Sequence, residues 1–172
     1  MLRYLVSALL LLQLCHADFL GLNPYEKKIV SKTWALFKKD PKVGEAILLE
    51  ALKAHPDARK QFKMFADIPI DKLKEEVTFQ DQGNKTLAAV TRVVTDMDDE
   101  DKVASFLRDI GQMHKRRKVP TEDFKKFHVA VVNVMKSRLG YKLSPYAEAA
   151  VAKLMKNMIQ RIIQEYNDEL LH

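Results

Sequence analysis

Apolar residues recur about every 3.6 positions through most of this chain, and a Pro, a Gly or a capping residue interrupts each periodic stretch. A half-buried strand needs alternation with a period of two, so the pattern confines the chain to an all-α architecture. Asn23-Pro24-Tyr25-Glu26 reads as a helix start: Asn23 caps, Pro24 fits the first turn, and Glu26 reaches back to the cap. Val30, Trp34 and Phe37 follow on one face until Asp40-Pro41 breaks the helix. A second helix is expected from about residue 43 to 54, ended by His55-Pro56. A short turn then leads to Phe62 and Phe65, and residues 67 to 69 form a loop. A long helix is expected from residue 72 to about 95, with Leu73, Val77, Phe79, Leu87, Val90 and Val94 on its apolar face. The acidic residues between 98 and 101 suit the positive end of the next helix, which carries Val103, Leu107 and Ile110. Another helix starts near Thr121 and shows Phe124, Phe127, Val131, Met135 and Leu139 before Gly140 stops it. Ser144-Pro145 opens the last helix, with Val151, Leu154, Met158, Ile162 and Tyr166 inward.

The N-terminus is of another kind. Arg3 precedes an apolar run from Leu5 to Leu14, and Cys15 and Ala17 are small residues at the positions a signal peptidase reads. The expectation is a secretory signal peptide over residues 1–17, followed by one domain over 18–172, in a secreted, extracellular protein. The run is short for a membrane span and no later segment is long and apolar enough, so no membrane partner is expected; an uncleaved interfacial anchor is the alternative. The single cysteine, Cys15, leaves with the signal, which excludes disulfides and thiolate chemistry from the mature chain. The net charge of +6 comes from basic residues spread over several helices. The densest cluster, Lys115-Arg116-Arg117-Lys118, has no interleaved aromatics. It reads as a solvated face, and no nucleic acid is expected as partner.

One histidine stands apart from the others. His16 leaves with the signal, His172 is terminal, His55 lies in a turn, and His128 is one residue off the apolar stripe of its helix. His114 falls one turn after Ile110 and two after Leu107, so it continues an apolar stripe inward. A neutral imidazole there binds a metal through one nitrogen while the other donates to the Ile110 carbonyl. On spacing alone a core or half-exposed histidine satisfied by hydrogen bonds is the simpler reading, because no second ligand accompanies it. Gln82 lies on the inward side of the long helix; taken alone, a surface glutamine is again simpler, and a buried amide would need a partner. Gly83, inside a helix, costs ~1 kcal/mol relative to Ala and marks a close crossing by a neighbouring helix.

Taken in order, these segments resemble the globin family from about Pro24 to Tyr166. Trp34 matches the tryptophan of the first globin helix, and Gly44 the small residue where the first two long helices cross. The segment HPDARKQF, residues 55 to 62, resembles the globin turn, with Pro56 at its proline, Phe62 at its haem-facing phenylalanine and Phe65 as a second aromatic just beyond. FQDQG, residues 79 to 83, resembles the distal helix with Gln82 at the distal position. LRDIGQMH, residues 107 to 114, resembles the proximal helix ending in the iron ligand. Val119-Pro120 and FKKF, residues 124 to 127, match the next stretch of haem wall.

The resemblance implies a globin fold, with helices packed around a pocket for haem b (iron protoporphyrin IX). His114 would be the proximal ligand of the haem iron, Phe62 would lie flat on the porphyrin, and Gln82 would contact bound O2 from the distal side. Leu48, Phe65, Thr86, Val90, Ile110, Val119, Phe124 and Phe127 would complete the cofactor-binding wall, each apolar side chain contributing ~1.5–3 kcal/mol on burial. Three positions depart from the common pattern. Gln82 replaces a histidine, Thr86 replaces a valine, and Met113 stands where a hydroxyl often steadies the proximal ring. The Thr86 hydroxyl either perturbs a bound ligand or bonds back to its helix.

The function implied is reversible binding of O2 and other diatomic gases, for transport or storage outside cells, with no enzyme activity and no catalytic residue. One alternative is a haem enzyme. Weak peroxidase activity wants a distal base, which an amide cannot be; a nitric-oxide dioxygenase needs none. Another is a haem-free helical carrier of an apolar ligand, which leaves Phe62, Gln82 and His114 as coincidence. Assembly into a homo-oligomer is compatible with the sequence. Asn84-Lys85-Thr86 is a glycosylation sequon inside a helix with Thr86 inward, and is expected to be unused.

Overall fold

Side-chain caps open three of the seven described α-helices in the computed structural model, which describes residues 19–168; the expected signal peptide lies outside them. Helix α1 (Pro24–Phe37) opens on a complete capping box, Asn23 accepting from the Glu26 amide and Glu26 from the Asn23 amide. After α2 (Val43–Ala54), a 3-10 turn runs over Pro56–Gln61. Helix α3 spans Val77–Asp96, and α4 spans Glu100–Arg116 behind the Asp99 cap. A short α5 (Glu122–Lys125) precedes α6 (Phe127–Leu139), which ends at Gly140. Helix α7 (Pro145–Asn167) is capped by Ser144. The described residues form no strand, so the architecture is all-α.

Three expectations about these elements are corrected. The long helix begins at Val77 rather than residue 72, because Glu76 is extended (φ −88°, ψ 121°) after a separate 3-10 turn, Leu73–Glu75. That turn seals Leu73 completely, whereas Val77, expected inside, is 67% exposed in the first turn of α3. The helix expected from Thr121 to Leu139 breaks at Lys126 (φ −95°, ψ −8°), separating Phe124 from Phe127. Gly44 is crossed not by α1 but by α3.

That last crossing and one other place the two helices that matter most. Gly44 and Gly83 face each other across α2 and α3: a Cβ on Gly83 would stand 2.7 Å from the Glu45 nitrogen, and one on Gly44 would collide with the Gly83 carbonyl. Only glycine permits so close an approach of two backbones. Likewise α4 packs chiefly on α7, and a Cβ on Gly111 would stand 2.9 Å from the Ile162 carbonyl oxygen.

The core divides in two. The larger cluster gathers Trp34, Phe37, Val90, Leu107, Phe124, Met135 and Leu154 from α1 and α3 to α7. The smaller gathers Leu48, Leu49, Leu52, Phe65, Leu73 and Phe79, from α2, the turns and the start of α3. Helix α3 spans both, and residues 19–22 lie across α4 and α7. There, Phe19 donates its amide to Glu100 and Asn157 donates to the Leu20 carbonyl at 2.7 Å.

Candidate functional site

The expected site residues are shared between the two clusters. Leu48 and Phe65 are buried in the smaller one, where Phe62 stacks on Phe65 (5.0 Å, 14°) and Phe65 meets Phe79 edge-on. Val90 and Phe124 are buried in the larger one, with Ile110, Val119 and Phe127 at its margin, only partly covered. On α3 the stripe Phe79, Gln82, Thr86, Val90 is sealed at both ends, 0% and 2% exposed, while Gln82 and Thr86 between them are half-buried. The incompletely covered site residues are thus Phe62 ahead of α3, Gln82 and Thr86 in its middle, Ile110 and His114 at the end of α4, and Val119 and Phe127 beyond it. An apolar group placed against any of them would cover it further.

His114 is the most constrained side chain in this set. Its Nδ1 donates to the Ile110 carbonyl at 2.8 Å, the bond the helix register predicts. A carbonyl only accepts, so in the neutral ring the lone pair lies on Nε2. Among the described residues Nε2 has no hydrogen-bond partner. Phe124 presents its ring edge-on to the imidazole at 4.9 Å. Burial pushes the His114 pKa below its ordinary 6.5; the Ile110 bond opposes this, and the nearby Arg117 charge adds to it. The ring is therefore held neutral, as a metal ligand must be.

Gln82 is held differently. Its side-chain amide makes no hydrogen bond among the described residues, so both N–H groups remain available. Its main-chain carbonyl accepts the Thr86 hydroxyl at 2.9 Å, which settles how Thr86 behaves: the hydroxyl turns back to the helix. Asn84 of the sequon is exposed.

Some neighbours were not legible in the sequence. His55, expected only in a turn, lies 3.2 Å from Asp123 of α5, off the hydrogen-bonding direction. Burial pushes the Asp123 carboxyl above the usual range although His55 pulls the other way, and Asp57 and Glu122 push it further up. Nothing local signals a pair so far apart in the chain. Gly111 did leave a signal, as one of only 5 glycines, three residues before His114.

The chain as a whole is similar to known proteins. The family model Globin matches residues 45–162. A globin of Nerita albicilla is 25% identical over 146 residues, covering 84% of this chain and 93% of that relative. Cytoglobin-2 of Danio rerio is 24% identical over 150 residues, covering 86% and 84%. Among solved structures, a hexacoordinated heme protein from an anhydrobiotic tardigrade, determined at pH 4, superimposes with a TM-score of 0.79 at 20% identity, covering 86% of this chain and 96% of that one.

Proposed function

The chain belongs to the globin family, and from that premise we propose that it is a secreted haem protein that binds O2 reversibly, with His114 as the iron ligand. The observation that carries the reading is the state of His114: Nδ1 is fixed on the Ile110 carbonyl, burial favours the neutral ring, and the Nε2 lone pair is unused. Haem b, when bound, supplies the iron at which O2 and other diatomic gases attach. The chain supplies the rest. Phe62, Val90, Ile110, Val119, Phe124 and Phe127 would supply the apolar wall that holds the haem and keeps water away. Gln82 offers an amide N–H to the gas, a contact that favours a polarised ligand such as O2 over CO. An amide neither takes nor returns a proton, so the distal side suits a carrier better than a peroxidase. His114→Ala tests the assignment: the variant is expected to purify without stoichiometric haem, and a variant with full haem and the parent spectrum would refute it.

Secretion is the second part of the proposal and rests on the leader pattern of residues 1–17. Expression in a secreting cell is expected to release a chain whose N-terminal sequence begins at Asp18. A chain retained inside the cell with Met1 intact would refute this part without touching the haem assignment.

A further inference from the structure

Helix α4 does not simply end after His114; it turns back on it. Arg117 caps the helix in a right-handed conformation, and Lys118 then adopts φ 56°. Among the described residues it is the only non-glycine with positive φ. The left-handed turn lets two amides point back into the last turn: Lys118 N–H donates to the Lys115 carbonyl at 2.9 Å, and Val119 N–H to the carbonyl of His114 itself at 3.1 Å. This is the double-bonded helix end whose left-handed position usually belongs to glycine. The Lys118 side chain is exposed and makes no hydrogen bond or ion pair among the described residues. Nothing in the side chain compensates the unfavourable backbone, so the backbone bonds and the packing beyond them must hold it. That packing is Val119, against the larger cluster, and Phe124, on the imidazole of His114.

We propose that Lys118 is a positioning residue: its left-handed backbone closes the end of α4 onto the His114 carbonyl and brings Val119 and Phe124 to the same histidine. His114 is then held at three places, Nδ1 by Ile110, its carbonyl by Val119 and its ring by Phe124. The consequence for haem rests on His114 being the iron ligand, as proposed above. A histidine fixed in this way would present Nε2 to a haem iron in one orientation.

The test separates backbone from side chain. Lys118→Gly keeps the turn and deletes the side chain; Lys118→Ile opposes the turn, since a β-branched residue resists positive φ. Amide hydrogen exchange in the full haem-free chain reads the Val119 bond, with core amides such as Leu107 and Leu154 reporting on global folding. Lys118→Gly is expected to slow Val119 exchange, and Lys118→Ile to speed it, each by roughly fivefold, with the core amides still protected in both variants. In the haem-loaded chain, Lys118→Ile is expected to broaden the iron–histidine stretching band and speed haem loss, while Lys118→Gly leaves both as in the parent. Because the glycine variant predicts a gain of protection, it does not depend on the isoleucine variant folding. Unchanged Val119 exchange in Lys118→Gly, or haem loss in Lys118→Gly as fast as in Lys118→Ile, would overturn the proposal. If the parent takes up no haemin, the haem reading falls and with it the role in holding the ligand, while Val119 exchange still reports whether the turn exists.

Discussion

Helices α3 and α4 are each set in place by a glycine, yet the side chains they present are held in opposite ways. Gly83 lets α3 touch the backbone of α2, and Gly111 lets α4 touch the backbone of α7. At the end of α4, His114 is tied through its ring nitrogen, its carbonyl and its ring edge. On α3, the Gln82 amide is tied to nothing among the described residues, and its neighbour Thr86 bonds only to the main chain. The contrast fits two kinds of task. A permanent metal ligand gains from being fixed before the metal arrives. A group that meets a transient gas must release it, and an amide with open donors does so without breaking an internal bond.

The largest expected effect is on the fixed side. His114→Ala should weaken haem binding by more than about 100-fold, the most that losing an outer hydrogen-bond partner alone would cost, as read by haemin titration. Next come the crossings. Gly83→Ala and Gly111→Ala each press a Cβ against backbone that cannot yield, and each should destabilise the chain by about 2 kcal/mol in denaturant unfolding. They sharpen the comparison because their functional effects should differ: Gly111→Ala should speed haem loss, whereas Gly83→Ala should alter gas rates first. If both change haem loss equally, the two sides are not independently held.

Smaller is the effect of Gln82→Leu, which should speed O2 release by roughly fivefold, the worth of about one hydrogen bond of 1 kcal/mol. An unchanged rate would leave the amide without a role. Smallest is the acid dependence of the haem-free chain. Folding lowers the His114 pKa below 6.5, so the unfolded chain binds a proton first as the pH falls. The stabilisation is full above 6.5 and is lost as pH falls through the folded value. Between about pH 7 and about pH 5 the parent should therefore lose more stability than His114→Leu; parallel curves would mean that the buried imidazole is not what titrates.

What could be read from the sequence was what is local. The Asn23 capping box, the helix start at Ser144-Pro145 and the stop at Gly140 are each decided within four or five residues, and they appear where expected; Asp99, expected only as part of an acidic first turn, is the cap of α4. So does the bond from His114 to Ile110, which a helix places automatically. What failed depended on partners far away. Glu76 leaves the helix because Leu73 is needed in the smaller cluster, and no pattern around residue 72 reveals that demand. The break at Lys126 and the pairing of Gly44 with Gly83 are likewise set by how helices meet. Lys118 was missed for another reason: composition suggests no turn there, because the residue in the left-handed position is a lysine and not the glycine that would mark it.

The central claim is that this chain holds haem on His114 with the gas side open to O2. The visible spectrum of the purified chain, reduced, with and without O2 and CO, tests it most directly. A Soret band that shifts reversibly with each gas, and disappears from the purified His114→Ala chain, is the predicted result. A chain that shows no Soret band even after haemin is added would contradict the claim and leave only the globin fold.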